Sequence, residues 1–500
     1  MRGKKTLINT LAGLIEELVA VICGFVLPRL ILSAFGSDYN GLITSITQFL
    51  SCAILLRSGI GGATRAALYK PLADNNKHEI NSILKATDNF MKKVGAILGI
   101  LIIVFSTLYP LLVKNEFGWF FTFSLFIIIG LSTFAESFFG ITYLILLQAD
   151  QKLWVSSLLK SICYIINTVL ASVLIYCDFS IHIVKLGSAV IFVLYPIVQS
   201  AYVKKHYKIN TNVEPNNSAI SQRWDAFWHQ VAIFVMNNTD VMVLTVFSNM
   251  KVVSVYSVYN MIVNGLKRAV FSFSNGLEAA FGNMIAKKEK VTLKLNFSII
   301  ELVFYNVATI VYTTAGLLIV PFVRIYTAGV NDIDYAKPVF AIIILVAQFF
   351  NCVRLPYQLV VQAAGHYKQT KKGAIVEPII NISLSVALVI KYGLVGVAIG
   401  TLVATIFRTI QFSIYMAKNI VKRNQFISLF KCFVAALESG LIILIFNFIS
   451  LNTPTNYYQW MVSAIIVFLI STIVVIVISI VFYHKTSCAL FLKIKNIIKK

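Results

Sequence analysis

The sequence predicts an all-α polytopic membrane protein. It has fourteen transmembrane helices, both ends on the cytoplasmic side, and two parallel-repeat six-helix lobes followed by two C-terminal helices. Three observations carry this: the composition, the length of the apolar runs, and the placement of lysine and arginine. Apolar residues make up 58% of the 500 residues and charged residues 13%, against roughly 45–50% and about 25% in soluble domains. Mean hydropathy is +0.82. So little charge cannot cover a soluble surface of this size, and so apolar a chain is not a disordered one.

A spanning helix needs about 20 mostly apolar residues. Candidate spans lie near 7–35, 41–62, 94–113, 118–147, 154–176 and 181–203. Six more lie near 226–248, 252–285, 296–321, 338–365, 374–391 and 394–417, and a last pair near 430–450 and 458–483. Helices are expected because each span must satisfy its own backbone hydrogen bonds, and no alternating ten-residue barrel strands occur. Arg2, Lys4 and Lys5 precede the first apolar run without a cleavage site, so it reads as a retained span. The seven cysteines show no zinc-ligand spacing, and no metal site is expected.

Placing the N-terminus in the cytoplasm and alternating puts thirty lysines and arginines inside, five outside and eight within spans. Cytoplasmic loops collect such residues, so this bias supports fourteen spans with both ends inside. It also accounts for most of the net charge of +23, which therefore does not imply a nucleic-acid partner. The loops are too short for a catalytic or nucleotide-binding domain, and no glycine-rich loop ending in Gly-Lys-Ser or Gly-Lys-Thr is present.

A shift of 214 residues aligns Tyr143 with Tyr357, Gln148-Ala149 with Gln362-Ala363, and Asn167 with Asn381. A shift of 213 pairs Ala66, Ala67 and Ala73 with Ala279, Ala280 and Ala286. Six spans per copy give a parallel repeat, as in rocker-type transporters with substrate between halves. The expected organisation is an N-terminal lobe over 1–204, a cytoplasmic linker over 205–225, a C-terminal lobe over 226–418, and two added spans with a basic tail over 419–500.

Ionisable groups within spans cost about 2.5–3.5 kcal/mol each on insertion scales, and those present face partners or wet cavities. Arg57 in the second span and Lys267-Arg268 in the eighth fall less than one helical turn apart under the repeat. Together with Arg29 and Arg354 they predict a cavity with basic walls, suited to a diphosphate because the arginine fork binds two oxygens at once. Glu16, Glu17, Asp240 and Glu278 are candidate charge partners or ion-coupling carboxylates. His229 is expected to be an interhelix contact, Lys160 and Lys185 lie close enough to helix ends to snorkel, and Glu136, Glu301, Glu377, Glu438 and Arg408 complete the intramembrane charges. Pro28, Gly59, Gly61, Gly62, Gly276 and Pro356 interrupt the cation-bearing spans and are candidate hinges.

The run from Asn40-Gly41-Leu42-Ile43-Thr44-Ser45 through Gln48-Phe49-Leu50, with Gly59-Ile60-Gly61-Gly62 and Arg65-Ala66-Ala67-Leu68-Tyr69-Lys70-Pro71-Leu72, resembles bacterial polysaccharide-repeat-unit flippases and exporters. These belong to the multidrug/oligosaccharidyl-lipid/polysaccharide exporter superfamily. Leu147-Gln148-Ala149-Asp150-Gln151-Lys152 and Asn237-Asn238-Thr239-Asp240 are similar to that group as well. The resemblance implies two six-helix lobes and a cationic cavity. It also implies translocation of an undecaprenyl-diphosphate-linked oligosaccharide across the bacterial cytoplasmic membrane for capsule, O-antigen or exopolysaccharide. Polysaccharide polymerase or assembly proteins would be further partners. It implies no cofactor and no enzymatic activity, with coupling to a proton or sodium gradient rather than ATP. A cation-coupled multidrug exporter and a lipid II flippase share the architecture, although the exporter would favour acids in the cavity. A membrane polysaccharide polymerase would need a larger outside loop than the one holding Asp332 and Asp334. The basic-cavity reading makes a direct prediction: Arg57→Ala or Arg268→Ala abolishes transport of lipid-linked substrate while membrane insertion stays normal. Full-rate transport by both variants would refute it.

Overall fold

The computed structural model describes residues 2–58, 60–113, 117–207, 209–210, 212–218, 238–274, 276–449 and 452–498, with side chains except at 2–6, 53, 54, 56–58 and 494–498. Its regular elements are all helical. The first group is α1 (Arg2–Phe35), α2 (Ser37–Ser58), α3 (Ile60–Ala73), α4 (Lys77–Leu112) and α5 (Trp119–Ala135). A single π-turn (Glu136–Gly140) leads into α6 (Ile141–Ala149), followed by α7 (Leu153–Tyr176), α8 (Ile181–Tyr207) and α9 (Asn238–Phe247). Then come α10 (Met250–Ser272), α11 (Leu277–Ala286), α12 (Lys290–Tyr326), α13 (Pro338–Ala363) and α14 (Tyr367–Asn419). The series ends with α15 (Phe426–Ile449), α16 (Tyr457–Phe482) and α17 (His484–Ile498). Among the described residues ten helices are long and apolar enough to cross a membrane, counting α5 to α6 as one and α14 as one. The chain is a multi-pass membrane protein.

Three elements differ from the sequence reading. α4 starts well before the expected span because Asn76 caps it. The Asn76 side chain accepts from the Glu79 amide at 3.2 Å and donates to the Glu79 carboxylate at 3.2 Å, a reciprocal cap that starts a helix before its apolar stretch. The expected span over 252–285 is two helices, α10 and α11, separated at Gly276, whose φ of +82° suits glycine. The tail beyond α16 forms a further helix, α17.

Helix starts recur along the chain. Ser37, Lys77 and Leu153 open α2, α4 and α7, and Met250, Lys290 and Tyr367 open α10, α12 and α14, at offsets of 213, 213 and 214 residues. The turns recur too. Left-handed Asn75 (φ +52°) precedes α4 as left-handed Lys288 (φ +58°) precedes α12, and Gln151 (φ +56°) precedes α7 as Gly365 (φ +73°) precedes α14.

The chain divides into two compact units, Met1–Val255 and Tyr256–Lys500. Within the first, the stretch from Asn40 to Gln48 is a helix-packing seam. Asn40 Nδ2 donates to Ser254 Oγ at 2.8 Å, Ser45 Oγ meets Thr245 Oγ1 at 2.7 Å, and Gln48 bonds Asn238. Tyr109 of α4 adds a 2.7 Å bond to Ser45, and Lys251 lies 3.5 Å from Asp38. Gly41 is required here, since any Cβ would run into the Met250 carbonyl. The segment from Gln148 to Lys152 is a second clasp. Arg65 donates to Gln148 Oε1 at 2.9 Å, and the Asp150 carboxylate accepts from Tyr207 at 2.5 Å and pairs with Lys152 at 2.8 Å. Asn9 of α1 donates to the Gln151 carbonyl at 2.9 Å and accepts from the Trp154 amide at 3.0 Å.

In the second unit, α14 is a helical hairpin. Gly393, at φ +52° and ψ −126°, is the one non-helical residue between its arms. Ser385 Oγ bonds the Val397 carbonyl at 3.4 Å and Asn381 bonds Thr401 at 3.2 Å, so the arms run antiparallel in close contact. Gly396 and Gly400, four residues apart, sit where a Cβ would overlap the Leu388 backbone and the Ser385 side chain. Such spacing lets membrane helices approach backbone to backbone.

α15 is fixed separately. Glu301 of α12, fully buried, accepts from both Arg423 terminal nitrogens at 2.5 Å, from Lys431 Nζ at 2.7 Å and from Tyr357 Oη at 2.7 Å. Arg423 and Lys431 read as loop cations in the sequence. The structure buries both because Glu301 draws them onto α12. The hairpin packing predicts that Gly396→Ala lowers stability by about 1–3 kcal/mol, the range for overpacking a tight core. Gly316→Ala, with open space around the added methyl, is neutral. Thermal unfolding of both purified variants in detergent checks this.

Candidate anion-binding site

The register of the α14 hairpin places Glu377 on its first arm opposite Arg408 on its second, with Arg408 Nε 3.4 Å from Glu377 Oε2. Gly373, without a side chain, leaves the room that the Arg408 and Gln411 side chains occupy. The Arg408 guanidinium also donates to the Thr370 carbonyl at 3.1 Å, bonds Gln411, and lies 4.1 Å from the Phe412 ring centroid. α13 contributes Arg354, whose Nη1 lies 2.6 Å from Glu377 Oε1 and whose Nη2 donates to Asn351 at 2.7 Å. Asn351 is itself tied to Gln348 at 3.1 Å. One carboxylate thus bridges two guanidiniums. The side chains of Glu377 and Arg408 are each 8% exposed and that of Arg354 is 15% exposed.

The third cation comes from α10. Lys267 is half-buried, its ammonium 5.4 Å from the Phe271 ring centroid and within electrostatic reach of Arg354 and Glu377. Among the described residues it makes no hydrogen bond to the protein, and Arg354 Nε is buried without an acceptor. Three cations around one carboxylate leave two positive charges in excess and donors in hand. An anion that supplies oxygens to Lys267 and Arg354 would complete the set.

The structure therefore brings together Lys267 and Arg354 of the residues expected from sequence. Arg268 follows on α10 and is exposed. Arg29 is half-buried on α1 and engaged within the chain. The side chain of Arg57, Gly59, His229 and Asn237 lie outside the described residues. Glu16 is half-buried and Glu17 exposed on α1, Asp240 is half-buried on α9, and Glu278 is exposed in the first turn of α11. The acid that pairs with the cations is Glu377. Helices run through Pro28, Gly61, Gly62 and Pro356, and the chain breaks at Gly276. Arg408 and Glu377 carried no assigned role in the sequence reading. The signal that would have joined them is the Gly393 turn with Gly396 and Gly400 behind it, which sets residues near 377 against residues near 408. In the short loop before α13, Asp334 accepts from the Ala336 amide at 2.8 Å and pairs with Lys337 at 3.3 Å. The amide bond and then the lysine hold its carboxyl below the usual range, as a turn-stabilising group.

No family model matches the sequence, and no curated protein matches it. Solved structures do. The lipid II flippase MurJ in an inward closed conformation superposes with a TM-score of 0.74 at 16% identity, over 95% of this chain and 99% of that one. An inward-facing multidrug resistance MATE family transporter gives 0.61 at 14% identity, over 81% and 98%. A MOP superfamily transporter from Pyrococcus furiosus, described by the reverse polarity of its binding pocket, gives 0.56 at 13% identity, over 84% and 97%. The chain has the fold of the MOP superfamily transporters. At such identities the likeness concerns the fold, and these neighbours are transporters rather than enzymes.

The shared carboxylate predicts an asymmetry in stability. Glu377→Gln strands two buried guanidiniums against each other and lowers unfolding stability by about 3–5 kcal/mol, as when one partner of a buried pair is removed. Arg354→Gln leaves the pair between Arg408 and Glu377 and lowers it by less. Equal losses in denaturant titrations of the two variants would contradict the shared-carboxylate arrangement.

Proposed function

We propose that this protein is a flippase that moves an undecaprenyl-diphosphate-linked oligosaccharide repeat unit across the bacterial cytoplasmic membrane by alternating access through a basic cavity. The observation that carries this reading is the cluster of Lys267, Arg354 and Arg408 around the single carboxylate of Glu377. Its surplus of two positive charges matches the two negative charges of a diphosphate diester. A lipid-linked diphosphate does not cross hydrocarbon unaided, and fixed cations replace the water it loses. An exporter of cationic drugs would be repelled by the same cluster. The Pyrococcus furiosus transporter, described by the reverse polarity of its binding pocket, is a precedent for altered charge on this fold.

Fourteen spans with both ends inside belong to this reading. The lysine and arginine bias supports them, as does the recurrence of helix starts and left-handed turns at offsets near 213. The roles assigned from sequence to Arg29, Arg57 and Arg268 in binding, and to Asp240 in coupling to a proton or sodium gradient, remain part of the proposal. Lipid II is the second reading of the substrate, favoured by the 0.74 superposition with a lipid II flippase. It too is a polyprenyl diphosphate, so the sugar decides between them.

Deletion of the gene followed by analysis of lipid-linked sugars tests the reading. A cytoplasmic-side polyprenyl-diphosphate oligosaccharide should accumulate while surface polysaccharide is lost, and accumulation of lipid II would select the second reading. Normal surface polysaccharide with new drug sensitivity would overturn both. Lys267→Gln, which leaves the ion pairs of Glu377 intact, should fold normally and reduce complementation about tenfold or more, the worth of one hydrogen bond to a charged group.

A further inference from the structure

A second basic feature of the Tyr256–Lys500 unit lies outside the cluster around Glu377. The start of α12, the turn after α14 and the start of α17 border an open cavity of about 490 Å³. Four lysines line it: Lys290 and Lys294 from α12, Lys422 from the turn, and Lys485 from α17. All four are exposed, and no acid lines the cavity. Among the described residues none of their ammonium groups makes an ion pair or hydrogen bond with the protein. Four like charges gathered without a counter-charge repel one another unless an anion joins them.

The backbone adds to the field. Lys290 and Lys485 belong to the first turns of α12 and α17, where unpaired amides and the helix dipoles favour negative charge. The capping position before α12 carries no side-chain hydrogen bond to these amides. The cavity wall is also apolar. Val291 is 84% exposed and Leu295 is 48% exposed, both on the cavity side of α12 beside two of the lysines. A soluble anion has no use for that strip, whereas an acyl chain does.

We propose that this cavity binds the phosphate headgroup of an anionic phospholipid, with its acyl chains lying along Val291 and Leu295. Basic pockets between membrane helices hold such headgroups at the membrane surface. The turn that supplies Lys422 runs directly into Arg423, whose guanidinium is locked on Glu301. Lys422 itself is held in the left-handed region, at φ +49°. A bound headgroup therefore braces the connection between α14 and α15 from the membrane surface while Glu301 braces it from within.

The full chain, purified in detergent and supplied with phosphatidylglycerol or phosphatidylcholine, is examined by native mass spectrometry. Phosphatidylglycerol should be retained in preference to phosphatidylcholine. The variant K290Q/K294Q/K422Q/K485Q should bind phosphatidylglycerol about tenfold or more weakly, given a roughly fivefold contribution from each lysine near an anionic headgroup. K371Q/K372Q, which neutralises exposed lysines outside the cavity, should bind as the parent does. K294Q/K485Q, a milder change, should give an intermediate loss if the fourfold variant does not fold. Inorganic phosphate at millimolar concentration should fail to displace the lipid. Equal retention of both lipids, unchanged binding by the lysine variants, or full displacement by phosphate would each overturn the proposal.

Discussion

A charge held in hydrocarbon without a partner is costly, and a protein that keeps such charges must place opposite charges within hydrogen-bonding reach. In the second unit two carboxylates meet this demand. Glu301 and Glu377 each serve two cations, Arg423 with Lys431 and Arg354 with Arg408. Each cluster leaves one arginine Nε buried without an acceptor, and the two differ in the cations around them. Glu301 accepts four hydrogen bonds at 2.7 Å or less from three side chains and is fully buried, which suits a fixed joint between α12, α13 and α15. Around Glu377 a third cation stands close by with its own donors unspent. Similar residue types thus yield a closed brace in one place and, in the other, the cluster on which the proposed function rests.

Two of the family-like motifs of the sequence serve as packing devices. The run from Asn40 to Gln48 carries small and polar residues at the spacing of one helix face. In the structure those residues form the hydrogen-bonded seam of α2 with α9 and α10. The run from Gln148 to Lys152 is a clasp that gathers α1, α3 and α8 around one turn. Such motifs report a fold, and function on a shared fold resides in the side chains grafted onto it.

How much was legible follows from which forces act locally. Apolar length and lysine placement are properties of single segments, so the helices were readable to within a few residues in most of the chain. The start of α4 was missed because its polar first turns carry no apolar signal, although Asn76 and Glu79 spell its cap. Lys267 and Arg354 were singled out because an intramembrane charge stands out in any apolar run. Glu377 and Arg408 were seen as charges, yet their pairing depends on the Gly393 turn and the close approach at Gly396 and Gly400. That is information about register across thirty residues. Lys431 was misread for the converse reason. Near a helix start, a lysine bound for Glu301 looks the same in sequence as one bound for water.

The hairpin also bears on how the chain enters the membrane. Its two arms are joined through Gly393 alone, so there is no polar loop to be carried across the bilayer after the first arm is in place. Lys391 is the sole charged residue beside the turn, and its ammonium lies 5.4 Å from the ring of neighbouring Tyr392. Two arms so connected are best delivered as a pair, their backbones already in contact. The ion pair of Glu377 with Arg408 can then form before either charge meets lipid by itself. The glycines that make the turn and the contact thus also set the distance over which the two charges meet.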